Sequence, residues 1–267
     1  MKYAGCCVPV SALRKEPSHK SEMVSQLLFG ECCTVLEFGN DNLHIGQSSW
    51  IKVKCRYDDY EGWCLLSHVV EIDEENYSQA DKDLTDEWVN ELDYNGHQMN
   101  VPLGSSLTSL THGRAFWRKN LVKYSGKLWK PVVVKINSKI IKQVAYKFLN
   151  TAYLWGGKSV FGIDCSGFAQ MVYKFLNVPL PRDAWQQAEK GDVVNSLQEA
   201  VCGDLAFFDN EDGYITHVGI LLNSQEIIHS SGKVRLDKID NNGIVNLENK
   251  QHTHKLRVIK RYFQSSN

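Results

Sequence analysis

A chain of 267 residues, 43% hydrophobic and 23% charged, carries enough apolar material for two or three compact cores. Its 30 Lys and Arg against 31 Asp and Glu leave a formal charge of −1, without the basic excess that nucleic acid or an anionic membrane surface demands. No apolar run approaches the roughly 18 residues of a membrane span, and MKYAGCCVPVSALRKEPSHK holds no stretch long enough for a signal-peptide core, so a cytoplasmic protein is expected. YAGCC is the kind of small-small-Cys sequence that ends a lipoprotein signal, but only Met1, Lys2 and Tyr3 precede its small residues, too few to be one; export stays open as the alternative for a chain trimmed at its N-terminus.

Taken in chain order, the first 72 residues show short apolar runs separated by turn signals: VPVSAL, SQLLFG, CCTVLEF, SSWIKVKC and RYDDYEGWCLLSHVVEI. The alternation in WIKVKC and the Gly-Trp pair opening the last run predict a small antiparallel barrel over residues 1–75. The acidic segment IDEENYSQADKDLTDE reads as a linker, and the turn-rich stretch after it (VPLGSSL, GRAFW, LVKYSGKLW) as a second barrel, the two together filling 76–134. Six of the eight cysteines, Cys6, Cys7, Cys32, Cys33, Cys55 and Cys64, fall in this first part, two pairs of them adjacent. Adjacent cysteines do not suit zinc, and reduced thiols acting as small buried apolar groups are expected.

At Val134 the pattern changes to helical, and a third domain is expected over 135–267. Ile140, Ile141, Val144, Ala145, Phe148 and Leu149 form an apolar stripe, with Ser138 placed to cap it. A loop, LNTAYLWGGKSVFGI, leads to a second stripe of Phe168, Met171, Val172, Phe175 and Leu176. After Cys202 the chain turns to strands: DLAFF, HVGILL, EIIHS and KLRVIKRYF.

Cys165 stands where the loop becomes the second helix. Unpaired N–H groups and the positive end of the helix dipole favour a thiolate there, although a small buried residue is the commoner occupant of such a position. A thiol nucleophile needs a base that is itself held in orientation. His217 and His229 are 12 apart on two adjacent predicted strands, so a hairpin centred on Asn223 sets them opposite each other on one face. That would let His217 serve Cys165 while His229 fixes the tautomer of His217.

DCSGF, GDLAFF, THVGILL and EIIHSS, in this order and spacing, resemble the NlpC/p60 cysteine peptidases of bacterial cell-wall metabolism. The N-terminal runs, with DDYEGWC, resemble the bacterial SH3 barrel preceding the catalytic domain in γ-D-glutamyl-L-diamino acid endopeptidases (dipeptidyl-peptidase VI). The resemblance implies a multidomain chain: one or two all-β SH3-like barrels, then an α+β papain-like domain with the cysteine helix packed on an antiparallel sheet. It implies Cys165 as nucleophile, His217 as general base, His229 as orienting residue, and Tyr153 with the Cys165 N–H facing the oxyanion. It further implies Tyr60, Glu31 and Asp164 as the group that holds a substrate ammonium, with Ser166, Trp155, Arg182 and Asp183 contacting substrate. Tyr60 and Trp155 read equally well as packing aromatics, and Arg182 and Asp183 as a salt bridge and a helix cap. In PRDAWQQ, Ala184 replaces the serine of the family's Arg-Asp-Ser motif, and Cys202 replaces the proline before Gly-Asp-Leu.

The implied reaction is hydrolysis of the γ-D-Glu to diamino acid bond in murein-derived peptides with a free L-Ala amine, during peptide recycling. No metal or organic cofactor is expected, nor a nucleic-acid or membrane partner; the oligomeric state is open, with a monomer expected. A non-catalytic wall-peptide binder, or an amidase or acyltransferase on the same core, are the competing expectations.

Overall fold

The computed structural model describes residues 1–39, 49–79 and 81–263. Residues 40–48 of the first predicted barrel, Ala80 in the predicted linker, and the last four residues of the third predicted domain lie outside them. The chain divides into two compact units, Met1–Val132 with Trp155–Val160, and Val133–Leu154 with Phe161–Asn267. The segment Trp155–Val160, expected to belong with the catalytic residues, therefore groups with the N-terminal unit.

In the first unit, β1 (Tyr3–Cys6), β2 (Val10–Arg14), β3 (Met23–Leu28), β4 (Cys32–Phe38), β5 (Trp50–Cys55), β6 (Glu61–Leu65) and β7 (Val69–Ile72) form one antiparallel sheet in the order β3-β2-β6-β5-β4-β1-β7. The alternation predicted for WIKVKC is present: Ile51, Val53 and Cys55 face a core shared with Cys6, Leu13, Leu27, Cys33 and Cys64. Thiols fill this interior because the barrel is narrow and Cys is small; burial drives the Cys33 and Cys55 thiols well above their ordinary pKa, so both stay neutral.

The predicted linker is partly helical. Asp73 accepts from the Asn76 N–H at 2.8 Å and caps α1 (Glu74–Ser78), whose Tyr77 stacks on Tyr3 at 4.3 Å. Strands β8 (Leu84–Thr85), β9 (Val89–Tyr94), β10 (His97–Pro102), β11 (Arg114–Trp117), β12 (Asn120–Lys123) and β13 (Leu128–Trp129) follow, with a four-stranded sheet in the order β10-β9-β12-β11. Their core includes Leu92, Val101, Trp117 and Val122 and is continuous with Phe29, in the turn after β3, whose ring lies 5.1 Å from that of Trp117. Gly30 (φ +75) makes that closeness possible: a Cβ there would sit 1.7 Å from the Ser106 carbonyl oxygen. Strand β14 (Lys158–Ser159) then packs beside β3, where the Lys158 N–H donates to Gln26 at 2.8 Å.

In the second unit, α2 (Ser138–Tyr146) buries Ile141, Val144 and Ala145 of the predicted stripe; Ile140 is half-buried, and the buried Phe148 and half-buried Leu149 lie just past its end. Its cap is Asn137, whose side chain accepts from the Ile140 N–H at 3.0 Å, and not Ser138, which is the first helical residue. After β15 (Gly162–Ile163), α3 (Cys165–Phe175) is buried along its entire length. Phe168, Met171, Val172 and Phe175 are each fully buried, about 1.5–3 kcal/mol of transfer free energy per side chain. The short α4 (Ala184–Ala188) follows.

Strands β16 (Asp192–Val194), β17 (Leu205–Asp209), β18 (Ile215–Asn223), β19 (Glu226–Ser231), β20 (Lys233–Asp240), β21 (Gly243–Val245) and β22 (His252–Arg261) run in the order β16-β22-β17-β18-β19-β20-β21. Strand β21 also pairs with β22, closing six of the seven into a ring. Four of these strands were expected from the sequence; β16, β20 and β21 were not.

Candidate active site

The site of the second unit starts at the N-terminus of α3. Asp164 is the cap, in extended conformation (φ −88, ψ 178), and its Oδ1 accepts from the Gly167 N–H at 2.7 Å. Cys165 is therefore the first helical residue, so its own N–H has no partner within the helix. Its Sγ lies 4.0 Å from the Thr216 carbonyl, at the start of the strand that carries His217.

His217 Nε2 is 2.8 Å from His229 Nδ1, and the two residues are 6% and 1% exposed. They meet by a different register from the one expected. Asn223 pairs with Glu226 around the two-residue turn Ser224–Gln225, and a register shift precedes it between Leu221 and Asn223. His229 consequently stands opposite Gly219, and His217 reaches it diagonally along the same face. Gly219 is needed there, since a Cβ would lie 2.9 Å from the His229 Cβ and 2.6 Å from Ile227 Cδ1.

Two further residues that the sequence reading missed complete the group. Asp237 Oδ2 is 3.0 Å from His229 Nε2, and Asp237 is itself 2% exposed. His254 stacks on His217 with ring centroids 4.1 Å apart and planes 28° apart. Asp237 lay on a strand that was not recognised: the apolar Val234, Leu236 and Ile239 do not alternate through it, and a carboxylate is a poor guess for a buried position.

The electrostatics oppose free charge. Burial, reinforced by the Asp164 carboxylate, pushes the Cys165 thiol up to about 12, against the expectation that the helix start alone would yield a thiolate. Burial, together with His229 and His254, holds His217 well below its ordinary value. The resting pair is thus neutral thiol and neutral imidazole. With Nε2 committed to His229, His217 has only Nδ1 left to receive a proton from Cys165.

Tyr153 is held by its N–H, which donates to the Gly232 carbonyl at 2.9 Å. Burial, then the charges of Cys165 and Asp164, raise its phenol to about 12, so it is a neutral donor near the thiol. Asp164, Ser166 and Arg182 form one buried network: Arg182 Nη2 and Nη1 donate to the two Asp164 oxygens at 2.6 and 3.0 Å, and Nη1 also donates to Ser166 Oγ at 2.9 Å. This is the salt-bridge alternative for Arg182, and it gives Asp164 a cation within its own unit. Asp183 starts α4, its N–H donating to Gln186 Oε1 at 3.2 Å, which is the helix-cap alternative. Ala184 follows it, buried, so its methyl group occupies the place of the motif serine.

The other three predicted substrate residues lie in the first unit. Glu31 is 2% exposed; its Oε2 accepts from the Leu28 N–H at 2.9 Å and lies 3.4 Å from Lys158 Nζ. A cation of the protein thus already faces this carboxylate. Tyr60 packs on the barrel core, and the Trp155 indole N–H donates to Glu22 Oε1 at 2.8 Å.

Comparison with known proteins agrees with this arrangement. Residues 150–255 match the NlpC/P60 family, and residues 13–69 match the bacterial dipeptidyl-peptidase SH3 domain. A stretch of 92 residues is 44% identical to the γ-D-glutamyl-L-lysine dipeptidyl-peptidase of Bacillus subtilis (strain 168), covering 34% of this chain and 31% of that protein. The match thus spans about a third of that relative's length. A Haemophilus influenzae protein named "Probable endopeptidase" is 32% identical over 114 residues, 41% of this chain and 67% of its own. The crystal structure of an NlpC/P60 family protein from Bacillus cereus shares the fold with a TM-score of 0.77 at 19% identity, covering 97% of this chain and 99% of the other.

Proposed function

This chain belongs to the NlpC/P60 family, an SH3-like β domain followed by an NlpC/P60 catalytic domain, and we propose that it is a cysteine peptidase acting on cell-wall peptides. The observation that carries the reading is the 2.8 Å His217–His229 bond beside a cysteine at the first position of a buried helix.

In the reaction so read, His217 Nδ1 takes the Cys165 proton as the sulfur attacks the scissile carbonyl carbon. The tetrahedral oxyanion is met by the Cys165 N–H and the Tyr153 hydroxyl. His217 then protonates the departing amine, the C–N bond breaks, and a thioester remains. Water deprotonated by His217 hydrolyses the thioester, releasing the acid and restoring the thiol.

The finer reading is that the scissile bond joins γ-D-Glu to a diamino acid in peptides with a free N-terminal L-Ala, during murein peptide recycling in the cytoplasm. The Bacillus relatives named γ-D-glutamyl-L-lysine dipeptidyl-peptidases support the bond type. Among the described residues no helix is long and apolar enough to cross a membrane.

The test is incubation of the full chain and a Cys165→Ala variant with L-Ala-γ-D-Glu-diaminopimelate, its L-Lys counterpart and their N-acetylated forms, followed by mass spectrometry. Release of L-Ala-γ-D-Glu from the free-amine peptides alone, and only with Cys165 present, is expected. Equal cleavage of the acetylated peptides would leave a general wall peptidase, and no cleavage of any would remove the peptidase reading.

A further inference from the structure

We infer that Asp237 is a positioning residue that sets the tautomer of both site histidines, so that His217 presents an unprotonated Nδ1 to Cys165. The functional meaning rests on the peptidase reading above; the tautomers themselves do not.

The inference follows from counting hydrogens. Asp237 Oδ1 accepts from the Leu247 N–H at 2.8 Å and from Arg235 Nη2 at 3.2 Å. Oδ2 lies 2.9 Å from Arg235 Nε and 3.0 Å from His229 Nε2. A backbone N–H and a guanidinium can only donate, so Oδ1 accepts from both, and the Arg235 cation paired against Oδ2 keeps the carboxyl ionised. Burial works against that charge, but the bonds from His229, Leu247 and Arg235 outweigh it and hold the pKa below the ordinary value.

His229 Nε2 therefore carries a hydrogen. A neutral imidazole has one, which leaves His229 Nδ1 as an acceptor. The atom 2.8 Å from it, His217 Nε2, must then be the donor. His217 is left with a lone pair on Nδ1, the form a general base requires. Without Asp237, His229 is free to carry its hydrogen on Nδ1 and donate it to His217 Nε2; His217 would then hold its own hydrogen on Nδ1, where it cannot accept the thiol proton.

The same line acts during turnover. When Nδ1 takes the proton from Cys165, His217 becomes a cation that still donates from Nε2 to His229, and no proton leaves His229. The Asp237 charge, one imidazole away, attracts that cation. The other groups around Asp237 are consistent with a fixed anion: Arg235 is held from its far side by Glu248 at 3.4 Å, and His254, which burial and His229 keep neutral, flanks His229 with centroids 5.9 Å apart.

The test uses the full chain labelled with nitrogen-15 in the histidine rings. At about pH 8 the wild-type spectrum is expected to show both His217 and His229 as the Nε2–H tautomer. Asp237→Asn, whose amide can offer a donor to His229, is expected to convert His229 partly or wholly to the Nδ1–H form. The same variant should lower kcat/KM for L-Ala-γ-D-Glu-diaminopimelate roughly 10²-fold, through kcat more than KM. It should also slow alkylation of Cys165 by iodoacetamide near neutral pH, and Asp237→Glu should recover part of both. A wild-type His229 in the Nδ1–H form overturns the inference and requires no variant to fold. So does an Asp237→Asn protein with unchanged tautomers and an unchanged pH profile of alkylation. If wild type cleaves no peptide, the peptidase reading fails, yet the spectra and the alkylation rates still decide the role of Asp237.

Discussion

At the scale of the residue, the site keeps its reactive groups neutral and near one another. Because burial and two neighbouring histidines hold His217 well below its ordinary value, it acquires a proton only in acid. The acid limb of kcat/KM is therefore expected below about pH 6.5, the ordinary histidine value, and a limb at or above that value in a pH–rate profile would contradict the assignment. The Asp164–Arg182 pair illustrates what single positions do not reveal. DCSGF told of a nucleophile at a helix start, but only folding shows Asp164 as the cap and brings Arg182, 18 residues on, against it. Replacing Arg182 by Met leaves a buried carboxylate without this cation. Urea unfolding should show a loss of about 3–5 kcal/mol, and a double variant that also replaces Asp164 by Leu should lose less.

At the scale of the element, the hairpin of β18 and β19 is the device that matters. The spacing of 12 between His217 and His229 was legible, and so was their common face, since both depend on the two-residue period of a strand. The register was not: it was decided by the turn, where the Gln225 N–H donates to Asn223 Oδ1 at 2.8 Å, and by the shift before it. One consequence is that Gly219, not His217, stands opposite His229. Gly219→Ala is expected to displace the His229 ring and Ile227, at about 1–3 kcal/mol measured by thermal unfolding, and to reduce kcat while leaving Cys165 in place. A variant with unaltered kcat would show that the imidazole pair tolerates the shift.

At the scale of the whole molecule, stability is tied to pH through the buried histidines. His254, which burial and His229 lower to about 4, and His217, lower than its ordinary value as well, are neutral in the native protein near pH 6 but are partly charged once the chain unfolds. Below about pH 6.5 the unfolded chain binds more protons than the folded one, so stability falls with pH from there, and the His254 share is lost down to about pH 4. Melting temperatures measured across that range should decline towards acid, and His254→Phe, which keeps a ring against His217, should flatten the decline.

The sequence by itself determined the kinds of element and which cysteine and histidines meet in the candidate site. Alternation in WIKVKC, the helical stripes around Val144 and Met171, and the ordered Cys, His, His motifs are local patterns that depend on near neighbours along the chain. The tertiary structure decided which side chains complete those motifs. Asp237 enters through β20 and His254 through β22, and strand pairing brings both to the histidines at short range, while the Leu247 N–H, from the chain beyond β21, donates to Asp237. The same holds for Glu31, whose partner Lys158 is 127 residues away. A carboxylate, an imidazole or an ammonium carries no periodic signature, and whether it binds substrate or serves the fold depends on which partner the folded chain places against it.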